Sequence, residues 1–317
     1  MIGLARGLRA AGVLGINQRN ADYTLLYNQR RLYPLVDDKL RTKELAMAAD
    51  IAIPNLYGVV EIERQVRDLP QMLAPYNDFV IKPAQGSGGD GIVVITGRSK
   101  QNYRKVSGAL LSPGELQHHI SNILSGLFSL GGRTDKALIE YRVKFDATFQ
   151  EITYQGVPDV RIIVLLGVPV MAMVRMPTRM SDGKANLHQG AIGAGIDIAT
   201  GRTLRAVWRN EVIGEHPDNG NPVTGVQVPH WERLLEIAAR SYELTGLGYQ
   251  GVDLVLDAEL GPLLLELNAR PGLNIQIANQ CGLLARLRQV EAWGKPPRAY
   301  PERIAFAREH FAHPALA

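Results

Sequence analysis

Apolar and polar positions change period several times along the chain, and each change marks an element. The stretch DDKLRTKELAMAAD is rich in helix formers, with Asp37 or Asp38 placed to cap a helix. Pro54 closes it, because the residue before a proline is pushed to extended geometry. LYGVVE, DFVIKP and GIVVIT read as strands, and IERQVRDLPQML as a helix between the first two. Residues 97–136 form a polar, Gly- and Ser-punctuated insert with one helix over about 113–130. Strands resume at KALIEYRV, and DVRIIVLLGVPVMAMVRM reads as a hairpin turning at Gly167–Val168–Pro169. PTRMSDGKANLHQGAIGAG reads as a loop, and the polar part through WRNEVIGEHPDNGNPVTG as loop-rich. HWERLLEIAARSYELTG has apolar residues at helical spacing and ends near Gly246. GYQGVDLVLD and GPLLLELN then read as two strands of a hairpin, and YPERIAFAREHFA as a closing helix. Residues 1–36 show no period, and MIGLARGLRAAGVLGI reads as an amphipathic start instead of a signal peptide. Helices alternating with strands, hairpins included, argue an α+β (α/β) fold with largely antiparallel sheets.

Composition narrows the class. The 317 residues are 46% apolar and 21% charged, as in a soluble globular enzyme, and no repeat is visible. No apolar run approaches the roughly 18–20 residues that span a bilayer. Cys281 is the single cysteine, so the sequence holds no disulfide framework or zinc cluster and suits a reducing, cytoplasmic compartment. The net charge is +4, and arginine outnumbers lysine, which suits planar recognition of carboxylate and phosphate. With no basic run and only 6% aromatic residues, a nucleic-acid surface is not expected. Met171, Met173 and Met176 read as core, and His118 and His119 as surface residues of the insert helix.

The chemistry begins in VIKPAQGSGGDGIVVI, where Gly86, Gly88 and Gly91 have G-x-G-x-x-G spacing. A Walker A loop would close with Gly-Lys-Ser/Thr, which is absent. A Rossmann fingerprint must open a helix, whereas IVVIT is β-branched and strand-like. A kinase glycine loop fits the spacing, but H-R-D and D-F-G are missing and Lys82 precedes the loop. What remains is a glycine loop joining antiparallel strands, with a lysine ending the strand before it.

A second constellation lies near the far end. Glu266 and Asn268 are two apart on one predicted strand and share a face, with Asp253 on the neighbouring strand of the hairpin. Three oxygen-bearing side chains on one face make a poor core, because unpartnered burial is costly. Magnesium takes hard oxygen ligands of this kind and would satisfy them.

The order of lysine helix, lysine before a glycine loop, Glu-Tyr strand, D-x-R strand and Asp…Glu-x-Asn strands resembles the ATP-grasp superfamily. Within it the chain is most similar to the RimK-like α-L-glutamate ligases, through DKLRTKELA, IEY, VRMP…NLHQG and LELNARPG over residues 37–285. The resemblance implies two lobes whose antiparallel sheets grip ATP. It divides the chain into an N-terminal segment over 1–36, an N-lobe over 37–137, a C-lobe over 138–285 and a helical tail over 286–317. The first segment stands where these ligases carry a larger acceptor-side domain, and this shortened form occurs in a subset of RimK-like homologues.

By the same resemblance, Lys39 and Lys82 hold ATP phosphates under a loop of Gly86, Ser87, Gly88 and Gly89. Glu140 and Tyr141 line the adenine pocket, and Asp159 accepts from the ribose. Arg161 and Arg175 steady the transferring phosphoryl group or acyl-phosphate. Asp253, Glu266 and Asn268 hold two Mg²⁺, for which Mn²⁺ could substitute, and Asn186, His188 and Arg270 face the substrate. The implied reaction activates the carboxylate of an amino acid, peptide or protein as an acyl-phosphate, which an amine converts to an amide. Such chemistry needs alignment and charge neutralisation, with no side-chain nucleophile. The alternative is a nucleotide-binding regulatory protein that kept the fold without ligation.

Overall fold

The strand-forming segments pair into two sheets in which every neighbouring pair is antiparallel. The computed structural model describes residues 7–8, 10–86, 88–129, 131–294 and 299–313. Two units divide it: residues 38–44 with 53–143, and the remainder.

The smaller unit contains β1 (Leu56–Val60), β2 (Phe79–Pro83), β3 (Val93–Ser99), β4 (Asn102–Lys105), β5 (Leu110–Leu111) and β6 (Ala137–Glu140). Their order in the sheet is β1-β6-β2-β3-β4-β5. Helix α1 (Lys39–Ala48) starts in this unit, where the Asp38 carboxylate accepts from the N–H groups of Leu40 and Arg41 at 2.9 and 3.3 Å. Helix α2 (Pro113–Leu124) is opened by a reciprocal cap between Ser112 and Glu115. Leu116, Ile120 and Ile123 recur at helical spacing and bury that face in a core with Phe79, Ile81 and Ile95.

In the larger unit lie β7 (Asp159–Leu165), β8 (Val168–Met176), β9 (Ile192–Ile196), β10 (Thr203–Trp208), β11 (Glu211–Ile213), β12 (Tyr249–Asp257) and β13 (Gly261–Asn268). They are ordered β11-β10-β9-β8-β7-β12-β13. Strands β8 and β12 are buried almost throughout, which explains their near-continuous apolar sequence. Helix α3 (Trp231–Thr245) buries Leu234, Leu235, Ile237, Ala238 and Ala239, and Gly246 ends it at φ 68°. Helices α4 (Leu284–Trp293) and α5 (Tyr300–His310) follow. Residues 16–37 form a chain of short helical turns that also belongs to this unit. Buried Asn28 fastens it: its amide donates to Tyr249 O and Ala269 O, and its carbonyl accepts from Tyr249 N–H. Among the described residues no helix is long and apolar enough to cross a membrane.

Several sequence expectations need correction. The loop expected over PTRMSDGKANLHQGAIGAG contains the start of β9. Its glycines hide strand character because nothing larger fits: a Cβ at Gly195 would stand 2.9 Å from Ala278 O. The loop-rich stretch that follows contains the β10–β11 hairpin, turning on Arg209 and Asn210 at φ 50° and 69°. That is the left-handed pair a tight hairpin turn requires, without the usual Asn-Gly signal. The β7–β8 hairpin turns one residue earlier than expected, on Leu166 and Gly167. IERQVRDLPQML is split into a 3₁₀ segment, Glu63–Asp68, and a short helix, Leu69–Leu73, because Pro70 is tolerated only at a helix start. In the insert, helix α2 stops at Leu124, and β4 and β5 extend the sheet.

Candidate functional site

Two polar clusters carry the expected residues, one in each unit. In the smaller unit Lys82 and Glu140 are diagonal neighbours on β2 and β6, since Val80 pairs with Glu140 and Lys82 with Leu138. Lys82 Nζ lies 2.6 Å from Glu140 Oε1, and Lys43 Nζ lies 2.9 Å from Glu140 Oε2. Lys43 also donates to Pro54 O at 2.8 Å. All three side chains are about 95% buried or more. Burial works against the Glu140 charge, but the two ammonium groups outweigh it and hold the carboxyl below its ordinary range. Burial lowers Lys43 to about 8, despite the pull of Glu140.

The glycine loop leaves β2 after Pro83, one residue beyond Lys82. Lys39 Nζ donates to Gly86 O at 2.5 Å, and Gly88, Gly89 and Gly91 all adopt positive φ. Ser87 lies outside the described residues. The insert braces both ends of this loop. Buried Asp135 accepts from Gln85 N–H at 3.0 Å and from Ser129 Oγ at 2.5 Å, while Ser129 bridges to Gly86. His119 Nε2 is 2.9 Å from Gly91 O, and its ring packs 5.4 Å from that of Phe128, which closes over Gly91. His118 is exposed as expected, but His119 is half-buried and engaged. Burial lowers its pKa. The Glu140 carboxylate is taken up by the lysines, and Tyr141 N–H donates to Asn55 O at 2.8 Å.

In the larger unit the cross-strand register builds a polar row over four strands. Asp159 stands opposite Arg175, Arg161 opposite Asp253, and Asp253 opposite Glu266. With Asn268 two residues beyond Glu266, all six positions share one sheet face. Arg161 grips both Asp253 oxygens, Nε at 2.7 Å and Nη2 at 2.5 Å. Arg175 makes a two-point contact with Asp159 and reaches Asp253 Oδ2 at 3.1 Å. The Asn268 amide donates to the same oxygen at 3.2 Å.

Charge is unevenly shared along this row. Burial opposes ionisation of Asp253, but Arg161 and Arg175 outweigh it and hold the carboxyl at about 2. Asp159 has one close guanidinium; burial pushes it up to about 6 against the pull of Arg175, with Asp253 adding to the rise. Burial also works against the Arg175 charge, and the two aspartates more than offset it. The arginines expected at a phosphoryl group are thus ion-paired with the carboxylates expected at ribose and metal.

The remaining candidates have their contacts elsewhere. Asn186 Oδ1 accepts from the N–H of exposed His188 at 3.0 Å, and His188 Nε2 is 3.4 Å from Asn274 Nδ2. Exposed Arg270 lies 5.2 Å from the Tyr33 ring centroid and 4.0 Å from Asp37. Lys43, Asp135 and His119 were not identified from sequence. For Lys43 the signal was a second lysine one helical turn after Lys39.

Among the described residues no three His, Cys, Asp or Glu side chains form a metal-binding group. The candidate donors are mixed: two carboxylates and the Asn268 amide oxygen. They suit a hard divalent cation, since Asp253 and Glu266 are direct cross-strand partners and Asn268 already touches Asp253. Coordination by Asp253 requires it to exchange part of its arginine contact.

A family profile described as sugar-transfer associated ATP-grasp matches residues 18–292. The chain belongs to this ATP-grasp family, and its two antiparallel sheets with flanking helices form the ATP-grasp fold. Comparison with curated proteins finds no match. Among solved structures, the ATP-grasp ligase PsnB complexed with a minimal precursor is 14% identical, with a TM-score of 0.48 over 84% of this chain and 62% of that one. The D-cycloserine synthetase DcsG is 15% identical, with a TM-score of 0.47 over 84% and 72% of the two chains. A D-alanyl-alanine synthetase A from Vibrio cholerae is 11% identical, with a TM-score of 0.43 over 88% and 66%. This chain therefore spans less than two thirds of the length of PsnB.

Proposed function

We propose that the chain is an ATP- and Mg²⁺-dependent ligase that joins a carboxylate to an amine through an acyl-phosphate. The observation carrying this reading is the row of Asp159, Arg161, Arg175, Asp253, Glu266 and Asn268 on one sheet face. Two buried aspartates in a row with two guanidiniums, a third carboxylate and an amide are costly as mere packing, and suit recognition of phosphate and metal.

Asp253, Glu266 and Asn268 would hold the cation, which would supply neutralisation of phosphate charge. Lys39 and Lys82 bind phosphates, and the braced glycine loop covers them with backbone N–H groups. Asp159 accepts from the ribose. Glu140 and Tyr141 border the base, with the Glu140 side chain acting through Lys82. Arg161 and Arg175 orient the carboxylate and the phosphoryl group, releasing Asp253 and Asp159 in part as they do so. Asn186, His188 and Arg270 are the acceptor-side candidates. The γ-phosphoryl group passes to a carboxylate oxygen as ADP leaves, and an amine then displaces phosphate to form the amide. The RimK-like resemblance favours a glutamate-like amino acid or a peptide carboxylate as substrate.

Incubating the chain with Mg·ATP, pooled carboxylates and amines should release ADP, and Glu266→Gln should abolish that release. Equal turnover by the variant would refute the metal assignment. The occupied state of both arginines favours a second reading, nucleotide binding without ligation. Calorimetry would then record ATP binding, while no amine tested would yield product.

A further inference from the structure

The buried lysine cluster holds two ammonium groups against one carboxylate. A buried charge without a counterion is expensive, so this cluster is one anion short. The two lysines are not equivalent in reach. Lys43 sits on α1, only 3% exposed, with its ammonium fixed between Glu140 Oε2 and the Pro54 carbonyl. Lys82 is the penultimate residue of β2, and the chain runs from it straight into the glycine loop. Its close contact in the cluster is Glu140 Oε1.

We propose that Lys43 is a positioning residue that keeps Glu140 compensated, so that Lys82 can leave the carboxylate for an ATP phosphate. The inference rests on the ATP-binding reading above. With Lys43 in place, transferring Lys82 to a phosphate leaves Glu140 with one ammonium at 2.9 Å and its charge neutralised. Without Lys43, the same transfer strands a buried carboxylate, and Lys82 stays where it is. Lys43 itself never needs to touch the nucleotide.

The test is a cycle of variants read by calorimetric binding of Mg·ATP. Lys43→Met should weaken binding by about tenfold to a hundredfold, the range for losing one charge-assisted hydrogen bond. Lys43→Arg should keep most of the affinity. Adding Glu140→Gln to Lys43→Met should recover much of the loss, because Lys82 then has no carboxylate to hold it. A merely structural role, or direct contact of Lys43 with phosphate, predicts no such recovery. Unchanged binding in Lys43→Met, or failure of the second substitution to restore binding, overturns the inference. Failure of the unaltered chain to bind Mg·ATP overturns the ATP reading instead.

Should Lys43→Met not fold, the unaltered chain carries the test through pH. Glu140 and Lys82 are the charged groups facing Lys43, and as pH rises through about 8 Lys43 loses its proton. Affinity should then fall in the unaltered chain and hold in Lys43→Arg. A flat profile in the unaltered chain overturns the inference.

Discussion

The two polar clusters are built from similar parts but balance their charges differently. In the smaller unit two ammonium groups face one carboxylate. In the larger, three carboxylates, Asp159, Asp253 and Glu266, stand with two guanidiniums in one cross-strand row. The first is one anion short, the charge that a phosphate would supply, whereas the second commits both guanidiniums to aspartates. A purely structural ion-pair network has no reason to leave the lysine cluster unbalanced when burial makes the imbalance costly. The imbalance also says which group the lysine cluster can least spare, its single carboxylate.

The largest expected effect tests the carboxylate–guanidinium row. Glu266→Gln should abolish measurable ADP release, a loss of at least about 100- to 1000-fold, as when one electrostatic element of a reaction site is removed. Glu140→Gln comes next and tests the anion-poor cluster. It strands two buried ammonium groups and should cost about 3–5 kcal/mol in urea unfolding, whereas Lys82→Met, which leaves the Lys43–Glu140 pair, should cost far less. Equal costs would mean that the cluster is not short of negative charge.

The Lys43 titration sharpens the same point. Its folded value of about 8 lies below the ordinary 10.5, so between these pH values the unfolded chain binds more protons. This group therefore makes stability rise with pH across that window, and Lys43→Met should flatten the rise in thermal melts. The smallest effect belongs to the brace on the glycine loop. His119→Ala removes a partner of Gly91 O and should raise the KM for ATP roughly two- to tenfold with little change in kcat, as expected for one hydrogen bond.

Much of the row around Asp253 was legible in the sequence because strand alternation is strict. Glu266 and Asn268 had to share a face, and the Asp253 strand was the adjacent arm of a short hairpin. What alternation could not give was the partner of each charge. Arg161 and Arg175 read equally well as phosphate ligands or ion-pair partners, and only the register put them on Asp253 and Asp159. The Lys43–Glu140 contact was invisible for the same reason, as it joins residues 97 positions apart on a helix and a strand. Strands β9 and β10 were obscured by close packing against Gly195 and by a hairpin turn made from Arg-Asn. The brace from the insert was missed because a His-His pair on a polar helix carries no sign of which member turns inward.

Hydroxylamine trapping tests the proposed chemistry most directly. With Mg·ATP, a carboxylate pool and hydroxylamine, the account predicts a hydroxamate formed one for one with ADP by the unaltered chain, and none above background by Glu266→Gln. Tight Mg·ATP binding with neither hydroxamate nor ADP would contradict it and leave a nucleotide-binding protein that does not ligate.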